Sequence, residues 1–277
     1  MDQVNSGRGN AAPLVVKVGG ALLDEPDKNL TTFAGLAELH RAERSKARGG
    51  GIVLVHGGGV LIDRHLARLG VTTERVEGIR VTPPDVVEEI AGVLAGRVNT
   101  RLIGLLAAAG AAPVGLSLGD GGLCACRKAT RYSFDPGAVG EIVGGDPAVV
   151  HALLDAGFLP VVNSIGLDEH GHFLNINADD AAAAIAGIVG ARELVLLTDV
   201  PGVLDKRGQL IDSLDRDAIE TLVADGTIHG GMTAKVRGAL DAAERSGVAV
   251  TIASWRNPTS VLGAGSCTRV VPMAVAR

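Results

Sequence analysis

Short, nearly continuous apolar runs alternate with stretches of helical periodicity along most of the chain. Residues Leu14–Val18, 52–55, 113–118, 159–162, 194–197 and 248–252 are β-branched-rich and almost uninterrupted in apolarity. Strands covered on both faces read this way because neither face meets water, so the runs predict buried parallel strands. Between them, residues 31–44, 60–69, 84–109, 147–156, 180–189, 215–225 and 233–246 carry the three-to-four-residue spacing of amphipathic helices. Regular strand–helix alternation predicts an α/β sandwich with right-handed crossovers. Polar turns at DEHGH, within 165–174, and at DKRGQ, 205–209, predict two hairpins.

One stretch changes the picture if misread. Residues 102–119 are uncharged over 18 positions, close to membrane length. Pro113 interrupts them, so they read as a helix ending near Gly110 followed by a buried strand over 114–118. Residues 1–13 have no apolar run and are read as a flexible segment, neither signal peptide nor anchor.

The 277 residues are 47% hydrophobic and 21% charged, which excludes wholesale disorder and suffices for one large domain or two packed lobes. A net charge of −5 provides no global basic field for nucleic acid or an anionic membrane. Three cysteines make no disulfide framework and suit a reducing cytoplasm.

The 39 glycines are in excess, and they cluster after strands. Lys17-Val18-Gly19-Gly20 ends the first strand; His56-Gly57-Gly58-Gly59 ends the second and opens a helix. Such turns serve either as plain strand-to-helix connections or as backbone cradles for anions at the carboxyl edge of a sheet. Neither a Walker nor a dinucleotide fingerprint is present.

Two lysines stand in awkward places. Lys17 interrupts an apolar strand, where an unpaired ammonium is expensive. Lys235 falls in the first predicted turn of a helix, the end that disfavours cations. They read either as surface lysines with buried stems or, beside Gly-rich turns, as a clamp on a transferring phosphoryl group. Between them, Asn175-Ile176-Asn177-Ala178-Asp179-Asp180 signals a helix N-cap but holds more Asn and Asp than a cap requires. Arg80, in the short segment 78–82, is either a surface salt-bridge partner or a fork for a substrate carboxylate. The seven histidines show no metal-ligand spacing, Cys124 and Cys126 read as small apolar strand residues, and no nucleophile elbow occurs.

Taken in order, VKVGGALLD, VHGGG, EGIRVT, AGRVNTRLIGLL, VGLSLGDGG, LPVVNSIG, NINADDAAAAIA, LLTDVPGVLD, GGMTAKVRGALDAA and IASW resemble the acetylglutamate kinases of the amino acid kinase family, nearest the short, enterobacterial-like dimeric members. The resemblance implies an open three-layer αβα sandwich around a mainly parallel sheet, one domain over 14–277. Its lobe at about 14–175 would bind the amino acid and that at about 176–277 the nucleotide. It implies ATP-dependent phosphorylation of the γ-carboxylate of N-acetyl-L-glutamate, with Mg²⁺ accompanying ATP, in a cytoplasmic homodimer without nucleic-acid or membrane partners.

The implied roles fall on named residues. Lys17 and Lys235 would stabilise the phosphoryl group, with Asp179 organising both and Gly20 donating a backbone hydrogen bond. Gly58, Gly59, Arg80 and Asn175 would bind the acetylated amino acid. Asp199, Val200, Pro201, Gly202, Val203 and Leu204, with Thr227, Ile228 and His229, would border the nucleotide.

Two departures from the family's pattern, Cys267-Thr268-Arg269 in place of Gly-Thr-Arg and Leu123–Cys126 after Gly121-Gly122, bear on packing. The segment 1–13, with Gly7, Gly9 and Pro13, lacks the apolar spacing of the long helix through which arginine-regulated members form hexamers. The expectation is a dimer that arginine does not inhibit.

Overall fold

The computed structural model describes residues 12–19, 21–46, 50–262 and 267–272. The expectations for residues 1–11 and for Gly20 therefore lie outside the described residues.

Six of the eight strands of one sheet form on the six apolar runs: β1 (Leu14–Val18), β2 (Ile52–His56), β3 (Pro113–Leu116), β4 (Leu159–Asn163), β5 (Glu193–Thr198) and β7 (Val250–Ser254); β6 (Ser213–Leu214) and β8 (Thr268–Val270) complete it. Their spatial order is β6-β8-β7-β5-β1-β2-β4-β3. All neighbours are parallel except β7 and β8. The strands from residues 14–163 lie on one side of the β1/β5 boundary and those from 193–270 on the other, so the strand order reverses there. A crevice at the carboxyl ends of the strands is where such a sheet binds ligands.

Side-chain alternation separates two cores. Val15, Val53, Val55, Val162 and Leu194 face one way, onto the helices α5 (Ala178–Ile188) and α7 (Gly231–Ser246). Leu14, Val16, Ile52, Leu54 and Val161 face the other way, onto α1 (Leu30–Lys46) and the long helix α3 (Val87–Ala108). Helix, sheet and helix make the three expected layers. Further helices include α2 (Gly59–Arg68), α4 (Ala148–Ala156) and α6 (Arg216–Ala224).

The α3 helix is long and apolar enough to cross a membrane by length and composition. Its Ile90, Leu94, Leu102 and Leu106 are instead buried in the second core. It winds as a π-helix over Gly92–Val98, a register shift that periodicity does not reveal.

The hairpin at Ile165–Leu167 and Phe173–Asn175 forms as expected, its turn held by the Asp168 carboxylate accepting from the His170 and His172 amides. The strands β6 and β8 escape sequence reasoning because two or three residues make no pattern. Among the departures, Thr268 is fully buried and accepts from the Val203 amide at 2.8 Å. Cys124 and Cys126 are buried, and burial pushes their thiols up to about 12 and about 11, as suits inert packing residues.

Two buried histidines make stability pH-dependent. Burial lowers His40 to about 4, with the Arg44 charge adding to it. Burial also lowers His56 to about 4, against the opposing hydrogen bond to the Gly57 carbonyl. Unfolding returns each imidazole to its ordinary value of 6.5, where it takes up a proton that the native state does not hold. Stability is therefore full above pH 6.5 and falls as the pH drops toward 4, by no more than about 3 kcal/mol per histidine. Denaturant midpoints at about pH 7.5 and about pH 5 check this, and His40→Gln is expected to flatten the difference.

Candidate active site

Side-chain alternation in β1 places Lys17 on the same face as Val15, the face covered by α5. There its Nζ meets Asp179 Oδ1, in the first turn of α5, at 2.9 Å. Gly19 leaves room for this: a Cβ there would lie 3.2 Å from Lys17 Nζ.

The polar cluster 175–180 divides its work. Asn177 caps α5, its side-chain oxygen accepting from the Asp179 and Asp180 amides. Asp179 holds Lys17. Asp180 pairs with Arg131, from the loop after Ala125–Lys128, and with Arg245 of α7 at 2.7 Å. Asn175 donates to the hydroxyl of the buried Thr82 at 3.1 Å.

Lys235 lies in the second turn of α7 rather than the first, because that helix begins at Gly231, two residues before the periodicity becomes visible. Its Nζ is 2.5 Å from Asp199 Oδ1, and this hydrogen bond holds the Asp199 carboxyl below its ordinary range. The two lysines thus have different acidic partners, Asp179 being that of Lys17. Lys235 is held by an acid of the expected nucleotide segment.

An open cleft is lined among others by Gly58, Gly59, Arg75, Arg80, Tyr132 and Asn175, and reaches Asn177 and Ala178, next to Asp179 in the chain. The Gly57–Gly59 turn is pressed between two helices: a Cβ on Gly57 would sit 3.0 Å from Ala178 Cβ, and one on Gly58 2.9 Å from Leu94 Cδ2. The amides of Gly58 and Gly59 stand at the start of α2, where no earlier helical turn supplies acceptors.

Arg80 is buried, with 6% of its surface exposed. Its Nη1 donates to Asp63 at 2.5 Å and Thr73 at 2.7 Å, and its Nη2 to the Gly59 carbonyl at 3.1 Å. Among the described residues these bonds leave one Nη2 hydrogen and the Nε hydrogen for a carboxylate. At Asp63 partial burial raises the carboxyl, but the hydrogen bonds and charges of Arg80 and Arg75 outweigh it and hold the group below its ordinary value.

The expected nucleotide residues separate. Asp199, Pro201, Leu204 and His229 are exposed, and Val200 and Thr227 are partly exposed. Gly202 is buried, and a Cβ there would meet Thr268 Oγ1 at 2.5 Å. Val203 and Ile228 are core side chains at 1% and 2% exposure, so any contact from them would be through backbone. Sequence reasoning missed Tyr132, Arg75, Asp63 and Thr82. The first three carry no signal beyond residue type, whereas Thr82 lies in the EGIRVT motif. Among the described residues no group of three or more His, Cys, Asp or Glu is arranged to hold a metal ion.

A sheet whose strand order reverses, with two acid-held lysines and a glycine turn at its carboxyl edge, is an arrangement suited to anionic substrates. The amino acid kinase family profile matches residues 12–254. The chain is 45% identical to the acetylglutamate kinase of Aeromonas salmonicida over 249 residues, 90% of this chain and 93% of that protein. It is 43% identical to the acetylglutamate kinase of Vibrio vulnificus over 251 residues, 90% and 91% of the two. The N-acetylglutamate synthase of Neisseria gonorrhoeae, solved with coenzyme A and N-acetyl-glutamate, superposes with a TM-score of 0.74 at 25% identity, over 96% of this chain and 60% of that one. Carbamate kinase from Giardia lamblia shares the fold, with a TM-score of 0.62 at 17% identity over 95% and 99% of the two chains. The chain belongs to the amino acid kinase family, in its acetylglutamate kinase branch.

Proposed function

We propose that the chain transfers the γ-phosphoryl group of ATP to the γ-carboxylate of N-acetyl-L-glutamate, forming N-acetyl-L-glutamyl 5-phosphate for arginine biosynthesis. The observation that carries this reading is the cleft holding both the Gly58-Gly59 turn and Arg80 and reaching Asn177 and Ala178, next in the chain to the Asp179 that holds Lys17. The glycine-turn amides and the Arg80 guanidinium are both donors suited to a carboxylate.

The chemistry needs no general base, because a carboxylate is already the nucleophile at neutral pH. It needs two anions brought together against their repulsion and aligned. Lys17 and Lys235 supply positive charge from opposite sides of the β1/β5 boundary. Asp179 and Asp199 hold them extended until substrate arrives. Asn175 and Arg80 orient the acetylated amino acid. The lobe 14–175 takes the amino acid and the lobe 176–277 the nucleotide, the latter along Asp199–Leu204 and Thr227–His229. Mg²⁺ enters with ATP as part of the substrate. Its phosphates carry the ion, a usual arrangement where a protein supplies no dedicated cage.

The test is an ADP-release assay offering N-acetylglutamate, glutamate and aminoadipate side by side. Turnover with N-acetylglutamate alone is the expected result. Turnover preferring aminoadipate or glutamate overturns the substrate assignment.

The same reading includes a cytoplasmic homodimer. The free state of Cys124, Cys126 and Cys267 supports the compartment. On α3, Gly92, Gly96, Thr100 and Gly104 are all exposed at four-residue spacing, a smooth face on which a second copy packs closely. Light scattering is expected to give twice the chain mass, unchanged by millimolar arginine, and Gly96→Arg is expected to give monomers. A wild-type monomer or hexamer overturns the dimer.

A further inference from the structure

Behind the glycine turn lies a buried polar chain that the proposed chemistry does not yet use. His56, the last residue of β2, is fully buried, and Asn99 of α3 is 5% exposed. Asn99 Nδ2 lies 3.1 Å from the Val161 carbonyl and 3.0 Å from His56 Nε2. His56 Nδ1 lies 3.0 Å from the Gly57 carbonyl.

These contacts dictate where the protons sit. A carbonyl only accepts, so the Asn99 atom facing Val161 is the amide nitrogen, which has a second hydrogen to give. That hydrogen points at His56 Nε2, so Nε2 must accept. In a neutral ring the proton then sits on Nδ1, which donates to the Gly57 carbonyl. Burial keeps the ring neutral, lowering it to about 4.

The consequence reaches the cleft through one peptide plane. The Gly57–Gly58 peptide is trans, so its C=O and N–H point in opposite directions. Drawing the Gly57 carbonyl inward onto His56 turns the Gly58 N–H outward. Both glycines line the cleft.

We propose that His56 and Asn99 are positioning residues: Asn99 selects the Nδ1–H tautomer of His56, which pins the Gly57 carbonyl and so aims the Gly58 amide at the reacting carboxylate. This rests on the reading of Gly58 as a substrate donor. Gly115 of β3 belongs to the same device, since a Cβ there would lie 2.1 Å from Asn99 Oδ1.

Two variants separate the donor from the packing. His56→Asn places an amide nitrogen near the position of Nδ1 and keeps the donor; His56→Leu removes it. Both disturb the core and are expected to lower the thermal midpoint alike. The His56→Leu variant is expected to lose roughly 10- to 100-fold in kcat with the KM for ATP unchanged, less than complete loss of an oxyanion donor. His56→Asn is expected to recover most of it. Equal kinetic defects in the two variants, or none in His56→Leu, overturn the proposal. Nitrogen NMR of the wild-type imidazole at neutral pH reads the lock without any substrate. An Nδ1–H ring is expected, and an Nε2–H ring overturns the proposal even if the kinase assay succeeds. If N-acetylglutamate is not phosphorylated at all, the substrate reading fails while the NMR result still decides the lock.

Discussion

Lys17→Ala and Lys235→Ala each lower kcat by roughly 100- to 1,000-fold, the loss expected when one preorganised charge or donor is taken from a transition state. Their effect on stability is small by comparison. Lys17 is paired with Asp179, whose side chain is 56% exposed, and Lys235 with Asp199, whose side chain is 61% exposed. Solvent takes over the freed carboxylate, so each pair contributes no more than about 1 kcal/mol to folding. Turnover and thermal midpoint measured on the same preparations separate the two effects. A variant with turnover within a few-fold of wild type removes that lysine from the clamp. A midpoint collapse accompanying the loss would mean the lysine is chiefly structural.

Arg80→Lys raises the KM for N-acetylglutamate by roughly 10- to 100-fold and leaves the KM for ATP close to wild type. A lysine has one charged centre and no planar fork, and each hydrogen bond between charged groups contributes about 1.5–3 kcal/mol. The substitution also releases Thr73 and the Gly59 carbonyl, both held by Arg80, and leaves Asp63 with Arg75 at 3.2 Å. Some loss of kcat therefore accompanies the rise in KM through the glycine turn. Substrate titrations at saturating co-substrate check this. An equal rise for both substrates removes the carboxylate role, and a rise confined to ATP moves Arg80 to the nucleotide.

Local pattern was sufficient for the layers and most of the strands. Val15, Val53 and Leu194 turn one way and Leu14, Val16 and Ile52 the other because a strand alternates every residue, whatever packs on it. The same rule marked Lys17 as out of place in an apolar run, and the Asn and Asp excess at 175–180 was visible as composition. Strand–helix alternation was enough to predict a mainly parallel sheet. What short-range pattern cannot carry is a partnership between residues far apart in the chain. Lys17 and Asp179 are brought together by α5 lying on the β1 face, and Lys235 meets Asp199, the residue after β5, because α7 packs against α5 and β7. In the packed structure each lysine has its own acidic partner. Likewise Thr73 reaches Arg80 across the hairpin Arg75–Val76 and Ile79–Arg80, and Asp63 reaches it from α2. His56 meets Asn99 only because α3, passing through its π-turn, crosses behind β2 and β4. Periodicity is set by neighbours three or four residues away, and so the chain alone determined which faces are apolar. Pairing across tens of residues depends on how those faces close, and so the tertiary structure decided which charge answers which.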